Sequence, residues 1–195
     1  MIGQINLGTP AGDCLYKISS NPDVRVIVEI GTWNGAGSTR CIAEGMQDTD
    51  ILYSLECNKD MYDRAKPLWA SRENVKLIYG CIVAEHEMDT EQLSSEEQRW
   101  YQNDIIEMRK CPSVLESLPK AIDLLVLDGG EFSTFAEYQK LANRSSIIFL
   151  DDTVCRKNKK VRMDLLNYNE FELIEDHPRD RHGWSLFKRR SDSDK

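Results

Sequence analysis

The sequence predicts an α/β fold in which a doubly wound, seven-stranded sheet ends in an antiparallel β-hairpin. Three observations carry this expectation. Short β-branched runs alternate with helical patterns along most of the chain, which implies parallel strands with helices packed on the sheet. Residues 122–128 (IDLLVLD) are almost continuously apolar, as a strand buried on both faces should be. The last two strand-like runs have no helix between them and must pair antiparallel.

The elements follow in order. Thr9 and Pro10 read as N-cap and first position of a helix carrying Leu15 and Ile18. Residues 24–30 form the first strand, and a helix runs from Gly37 to near Met46. A second strand covers 51–56 and ends in Glu56. Asn58 caps a helix with Met61, Ala65, Leu68 and Trp69 on one face, which Pro67 should kink or shorten. Residues 75–79 are the third strand. Residues 84–112 break the rhythm: they are polar and acidic, with Thr90 and the Ser94/Glu97 pair as helix-cap signals. They read either as a solvated helix at the sheet edge or as a helical insertion facing the substrate. After the fourth strand, Thr134 and Glu137 have capping-box spacing before a helix with Phe135, Tyr138 and Leu141. A fifth strand over 146–150 runs into Asp151 and Asp152. A helix over 158–167 turns Val161, Leu165 and Leu166 inward, and strands at 170–174 and 184–188 close the fold. Residues 189–195 read as a frayed tail, and residues 1–195 as a single domain.

The chain has 195 residues and a net charge of −8. That length suffices for a three-layer core. The acidic balance argues against affinity built on many phosphate contacts, so no nucleic-acid partner is expected. No apolar run reaches the roughly 20 residues of a membrane span, and residues 1–6 lack a signal-like pattern. The six cysteines (14, 41, 57, 81, 111 and 155) show neither Cys-x-x-Cys nor metal-ligand spacing. A reduced, cytoplasmic protein is expected, and a homo-oligomer is compatible with everything above.

The most informative stretch joins the first strand to its helix. An apolar run ends in Glu29, followed by Gly31, Thr32, Gly35, Gly37 and Ser38. Glycines let backbone approach a ligand closely, and the helix start offers unpaired N–H groups. The spacing is not the Gly-x-Gly-x-x-Gly of dinucleotide enzymes. A strand-end carboxylate would repel a pyrophosphate but suits the ammonium and hydroxyls of an amino-acid nucleoside. On these residues the sequence resembles the class I S-adenosylmethionine (SAM)-dependent methyltransferases, whose Rossmann-like sheet also ends in a hairpin. The resemblance covers nearly the whole chain except 84–112. It implies that Glu29, Gly31, Thr32, Gly35, Gly37 and Ser38 form the methionine-side loop. Glu56, about 20 residues past the glycines, would accept the ribose hydroxyls. Cys57 and Cys81 would flank the adenine, although a thiol is a weak partner there, and Asp128 would face the cofactor.

Acids also end the fourth and fifth strands: Asp128, and Asp151 with Asp152. This pair of strand ends resembles the Mg²⁺ site of metal-dependent small-molecule and sugar O-methyltransferases. Hard oxygen ligands with room for substrate are what Mg²⁺ requires, and the ion would lower the pKa of an acceptor hydroxyl. In the sugar-modifying group a His often follows the strand-four Asp by three residues; Glu131 stands there instead, leaving Glu131 and Asp128 as the candidate bases. The alternative for Asp151 and Asp152 is structural, with one capping a turn and the other meeting Arg156 or Lys157. The basic cluster of Arg156, Lys157, Lys159 and Lys160 reads as a solvated helix face or as a contact for an anionic acceptor. His86, His177 and His182 read as surface residues, with His182 in a hairpin loop near the site's rim.

The resemblance therefore implies a SAM-dependent O-methyltransferase acting on a small hydroxylated acceptor, a sugar or a natural-product intermediate. Its runner-up is a non-catalytic SAM- or nucleotide-binding protein of the same fold. A nucleic-acid aminomethylating enzyme fits less well, because Asp128, Gly129, Gly130 and Glu131 replace the Asn/Asp-Pro-Pro-aromatic motif. An oxidoreductase fails on glycine spacing and on the final hairpin.

Overall fold

The computed structural model describes residues 5–168 and 170–191. Seven strands form one sheet in the order β3-β2-β1-β4-β5-β7-β6. They are β1 (Val26–Ile30), β2 (Ile51–Glu56), β3 (Val75–Tyr79), β4 (Ile122–Leu127), β5 (Ser145–Asp151), β6 (Phe171–His177) and β7 (Trp184–Arg189). Strands β1 to β5 pair parallel, and β7 runs antiparallel to both β5 and β6. The sheet is the doubly wound, hairpin-ended arrangement expected from the sequence.

The helices are α1 (Pro10–Ser19), α2 (Ser38–Gly45), α3 (Lys59–Trp69), α4 (Ser95–Met108), α5 (Thr134–Leu141) and α6 (Arg156–Asn167). Alternation along the strands splits the core into two faces. Ile27, Leu124, Val126 and Phe149 pack with Leu15, Ile42 and Trp69 of α1, α2 and α3. Val28, Leu125, Leu127 and Ile148 pack with Ile105, Leu141, Val161 and Leu165 of α4, α5 and α6. Among the described residues, no helix is long and apolar enough to cross a membrane.

Several local expectations need correction. Helix α3 runs past Pro67 to Trp69, because the proline falls in the last turn, where one lost hydrogen bond ends little. Leu68 and Leu166 face outward, at 54% and 45% exposure, since each lies just off the buried stripe of its helix. Thr134 and Glu137 make no capping box. Ser133 is the N-cap, the Thr134 hydroxyl turns back to the Gly130 carbonyl at 2.6 Å, and Glu137 is buried inside. Thr90 starts no helix, whereas Ser94 and Glu97 form the capping box of α4. Segment 84–112 is also more than an edge helix, because Met88 and Ile105 belong to the core. Arg189 closes β7 and the Arg190 amide bonds Glu170, so the expected tail starts later; residues 192–195, like residues 1–4, lie outside the described residues.

Candidate active site

The sheet order reverses between β1 and β4, and the loops leaving their carboxyl ends diverge there, opening a crevice. A cavity of about 470 Å³ occupies it, lined by the loops after β1 to β5 and by one side of α4.

The glycine loop forms its floor. Gly31 has φ +101°, and a Cβ there would lie 2.3 Å from the Asp128 carbonyl oxygen, so only glycine lets this loop pass the end of β4. Gly35 has φ +74° and packs against Trp69, whose indole N–H donates to the Gly35 carbonyl at 3.0 Å. Gly31, Thr32, Gly37 and Ser38 line the cavity; Gly35 and Glu29 are not among the lining residues. Glu29 lies beneath the loop, fully buried. It accepts hydrogen bonds from Thr39 at 2.7 Å and Ser54 at 2.5 Å, and Ser54 also meets Thr32. Burial pushes its carboxyl up to about 7. Strand alternation explains this placement: Glu29 shares the Ile27 face, toward α2, while the loop's backbone turns to the cavity.

Glu56 does face the cavity. Its two oxygens accept the Trp33 and Asn58 amides at 2.6 and 2.8 Å, tying the first loop to the end of β2. Burial raises its pKa to about 7 against these bonds. Cys57 and Cys81 line the same wall, and a hydrogen bond from the Cys111 thiol lowers the Cys81 thiol.

Asp128, Asp151 and Asp152 converge as expected: each offers an oxygen within 4.8 Å of the others. A cation is already among them. The Lys157 ammonium lies 2.9 Å from Asp128 and 2.6 Å from Asp152. Arg181, from the hairpin loop, pairs with Asp151. That loop reaches the site as its position suggests, through Arg181 and not through the exposed His182. Burial and the neighbouring Asp128 and Asp152 raise Asp151 to about 8. For Lys157, burial pulls downward, but the three carboxylates outweigh it and hold the ammonium charged. One Asp152 oxygen, Oδ1, is buried without a hydrogen-bond partner.

Asn158 escapes sequence reasoning. Its amide donates to the carbonyls of Leu127 and Asp151 at 2.8 and 2.6 Å, clamping the ends of β4 and β5 together under the start of α6. Glu131 is not brought to the cavity wall. Three other acids are: Asp104 and Glu107 of α4 and Glu137 of α5. Glu137 is fully enclosed, its Oε2 has no partner, and burial raises it to about 7. Burial and the nearby Glu131 raise Asp104 to about 6. The helical spacing of Glu137 was visible in sequence, but its inward rotation was not. Of the remaining basic cluster, Arg156 pairs with Glu97 and Asp89 and Lys160 with Asp89, while Lys159 is exposed.

No protein-family model matches the chain, and no curated protein matches it in sequence. Solved structures match it closely in shape. An O-methyltransferase from Bacillus cereus, in complex with SAH, superposes with a TM-score of 0.67 at 14% identity, covering 97% of this chain and 84% of that one. TomG of Streptomyces achromogenes, an O-methyltransferase involved in tomaymycin synthesis and solved with SAM, gives 0.66 at 15% identity, over 93% and 80% of the two chains. An SAH-bound methyltransferase from Podospora anserina gives 0.62 at 18%, over 92% and 78%. The chain thus has the Rossmann-like fold of the SAM-dependent methyltransferases.

Proposed function

We propose that this protein is a SAM-dependent methyltransferase that transfers a methyl group to a hydroxyl of a small acceptor. The observation that carries this reading is the buried Glu56 carboxylate facing the same cavity as the Gly31 to Ser38 loop, at the crevice where β1 and β4 part. That the similar structures hold SAM or SAH supports it. When bound, SAM supplies a sulfonium-activated methyl group. The loop after β1 would present backbone to its amino-acid end, and Glu56 would accept hydrogen bonds from its ribose hydroxyls.

On the acceptor side, Asp152 lines the cavity, and its carboxylate would take the proton of the acceptor hydroxyl. The acidic wall of Asp104, Glu137 and Asp128 suits a neutral, polyhydroxylated acceptor such as a sugar. Arg156, Lys157 and Lys160 are paired internally, and Lys159 is exposed and not among the residues lining the cavity, so the cluster does not favour an anionic acceptor there.

The Mg²⁺ expected from the acidic triad does not fit the side chains as folded. Two of its carboxylates hold Lys157 and the third holds Arg181, so a divalent ion would have to displace an ammonium.

Calorimetry with SAM and SAH tests the reading. Glu56→Ala should weaken binding by about 1.5–3 kcal/mol, the worth of a hydrogen bond to a charged group. Asp152→Asn should spare SAH affinity and abolish SAH release in a screen of hydroxylated acceptors. Binding of NAD without SAM would overturn the proposal, and SAH binding with no turnover on any acceptor would favour a non-catalytic binder.

A further inference from the structure

We propose that Lys157 is the resident cation of the cluster of Asp128, Asp151 and Asp152, and that it keeps divalent metals out of that cluster. The inference rests on the cluster's geometry. Only its consequence for the acceptor rests on the methyltransferase reading above.

Three carboxylates with oxygens this close need a positive partner, and the fold supplies one in a specific way. Asp128 and Asp151 stand at the ends of adjacent parallel strands, and Asp152 follows in a left-handed turn, φ +54°. Lys157 is the second residue of α6. A helix N-terminus carries partial positive charge and normally favours acids; the first turn of α6 holds none. A lysine in this position works against its own helix, and the carboxylates in front of it are what stabilise it there. Its side chain is only 11% exposed. The next residue, Asn158, fixes where the ammonium goes. By binding carbonyls at the ends of both β4 and β5, it seats the first turn of α6 over the triad. Lys157 is therefore held in place from the backbone as well as from the carboxylates.

Charge gives the same answer. The formal charges of three carboxylates, Lys157 and Arg181 sum to about one net negative, and to about zero while Asp151 keeps its proton below about 8. A divalent ion added to this set would leave a net positive charge beside a sulfonium donor. Mg²⁺ takes one or two carboxylates besides its waters, and here Lys157 already holds an oxygen of Asp128 and one of Asp152, while Arg181 holds one of Asp151.

An ammonium donates three hydrogen bonds, and two are used by Asp128 and Asp152. The third is available to an acceptor oxygen in the cavity that Lys157 lines. The acceptor would then be gripped through one hydroxyl, between Lys157 and Asp152, with no need for a chelating vicinal diol.

Manganese binding tests this without reference to activity. Wild-type protein, titrated with Mn²⁺ at neutral pH and followed by electron paramagnetic resonance, should show no specific site up to millimolar metal. Lys157→Met, which keeps the chain length and removes the charge, should gain one Mn²⁺ site at least 10-fold tighter than any wild-type binding. Adding Asp152→Asn should abolish that site. SAH calorimetry on each variant reports whether the fold is kept, and Lys157→Gln serves if the Met variant does not fold. A one-to-one Mn²⁺ site in wild type that is lost on Asp128→Asn or Asp152→Asn overturns the proposal, whatever the variants do. So does a folded Lys157→Met or Lys157→Gln protein without a new site. Failure of SAH to bind wild type would sink the methyltransferase reading and leave the manganese result standing.

Discussion

Glu137 shows how a single buried carboxyl couples the site to the stability of the protein. It is enclosed, one oxygen lacks a partner, and its pKa rises to about 7 from burial. In the unfolded chain a glutamate titrates near 4.3. Below that value both states are protonated and burial carries no ionisation penalty. As pH climbs toward 7, the unfolded chain releases the proton first, so stability falls, then levels off above the folded pKa. Glu137→Gln removes this penalty. Thermal melts should show the variant more stable than wild type by roughly 1–3 kcal/mol at pH 8 and nearly equal at pH 4.5. An equal difference at both pH values would mean that Glu137 is not held neutral by its surroundings.

At the scale of elements, α4 is the least anchored part of the cavity. Its side chains are mostly polar, and Ile105 is its one buried residue. Tyr101 meets Phe132 edge-on with ring centroids 5.5 Å apart, and Glu97 binds Arg156 of α6. Trp100 and Ile106 stay exposed, while Asp104, Glu107 and Met108 face the cavity. Few buried contacts mean low local stability. We expect α4 amides to exchange with solvent faster than those of β1 and β4 in the free protein, and to slow when SAH binds. Exchange in α4 as slow as in β4 without ligand would remove it as a movable wall. Ser94→Ala, which breaks the capping box, should weaken the helix by about 0.5–2 kcal/mol and speed that exchange further. Removing all of 84–112 would strip Met88 and Ile105 from the core, so deletion is expected to destabilise the whole protein.

At the scale of the molecule, buried carboxyls gather around the cavity at the strand ends. Glu29, Glu56 and Glu137 all have raised pKa values of about 7, chiefly from burial. Glu87 and Asp176 are lowered, the first chiefly by the Ala84 amide and the second chiefly by Arg162. The two groups pull in opposite directions. The lowered carboxylates lend stability that disappears as pH falls through their folded values. The raised ones withdraw stability as pH rises from about 4.3 to 7. Denaturant melts across pH should therefore give a maximum near pH 5 and a decline that continues to about pH 8, where Asp151 also gives up its proton. Stability rising steadily from pH 5 to 8 would contradict this assignment of buried acids.

Much of this protein was legible along the chain. The alternation of strand and helix, the hairpin without a helix, Gly31 with its forced turn, and acids at strand ends are local patterns, and local sterics and pleat periodicity decide them. Convergence of Asp128, Asp151 and Asp152 followed as well, because adjacent parallel strands bring their ends together. What the chain could not disclose is where side chains end up once helices rotate and pack. Whether Lys157 joins a solvated face or enters the triad depends on Asn158 seating α6 across two strand ends. Its partner Asp128 is 29 residues away in sequence. The same rotation turns Glu137 and Asp104 to the cavity, leaves Glu131 off its wall, and exposes Leu68 and Leu166. Sequence determined which charges gather at the end of this sheet, and only the tertiary packing decided that one of them is a cation, since burying three carboxylates together is favourable only with a positive partner between them.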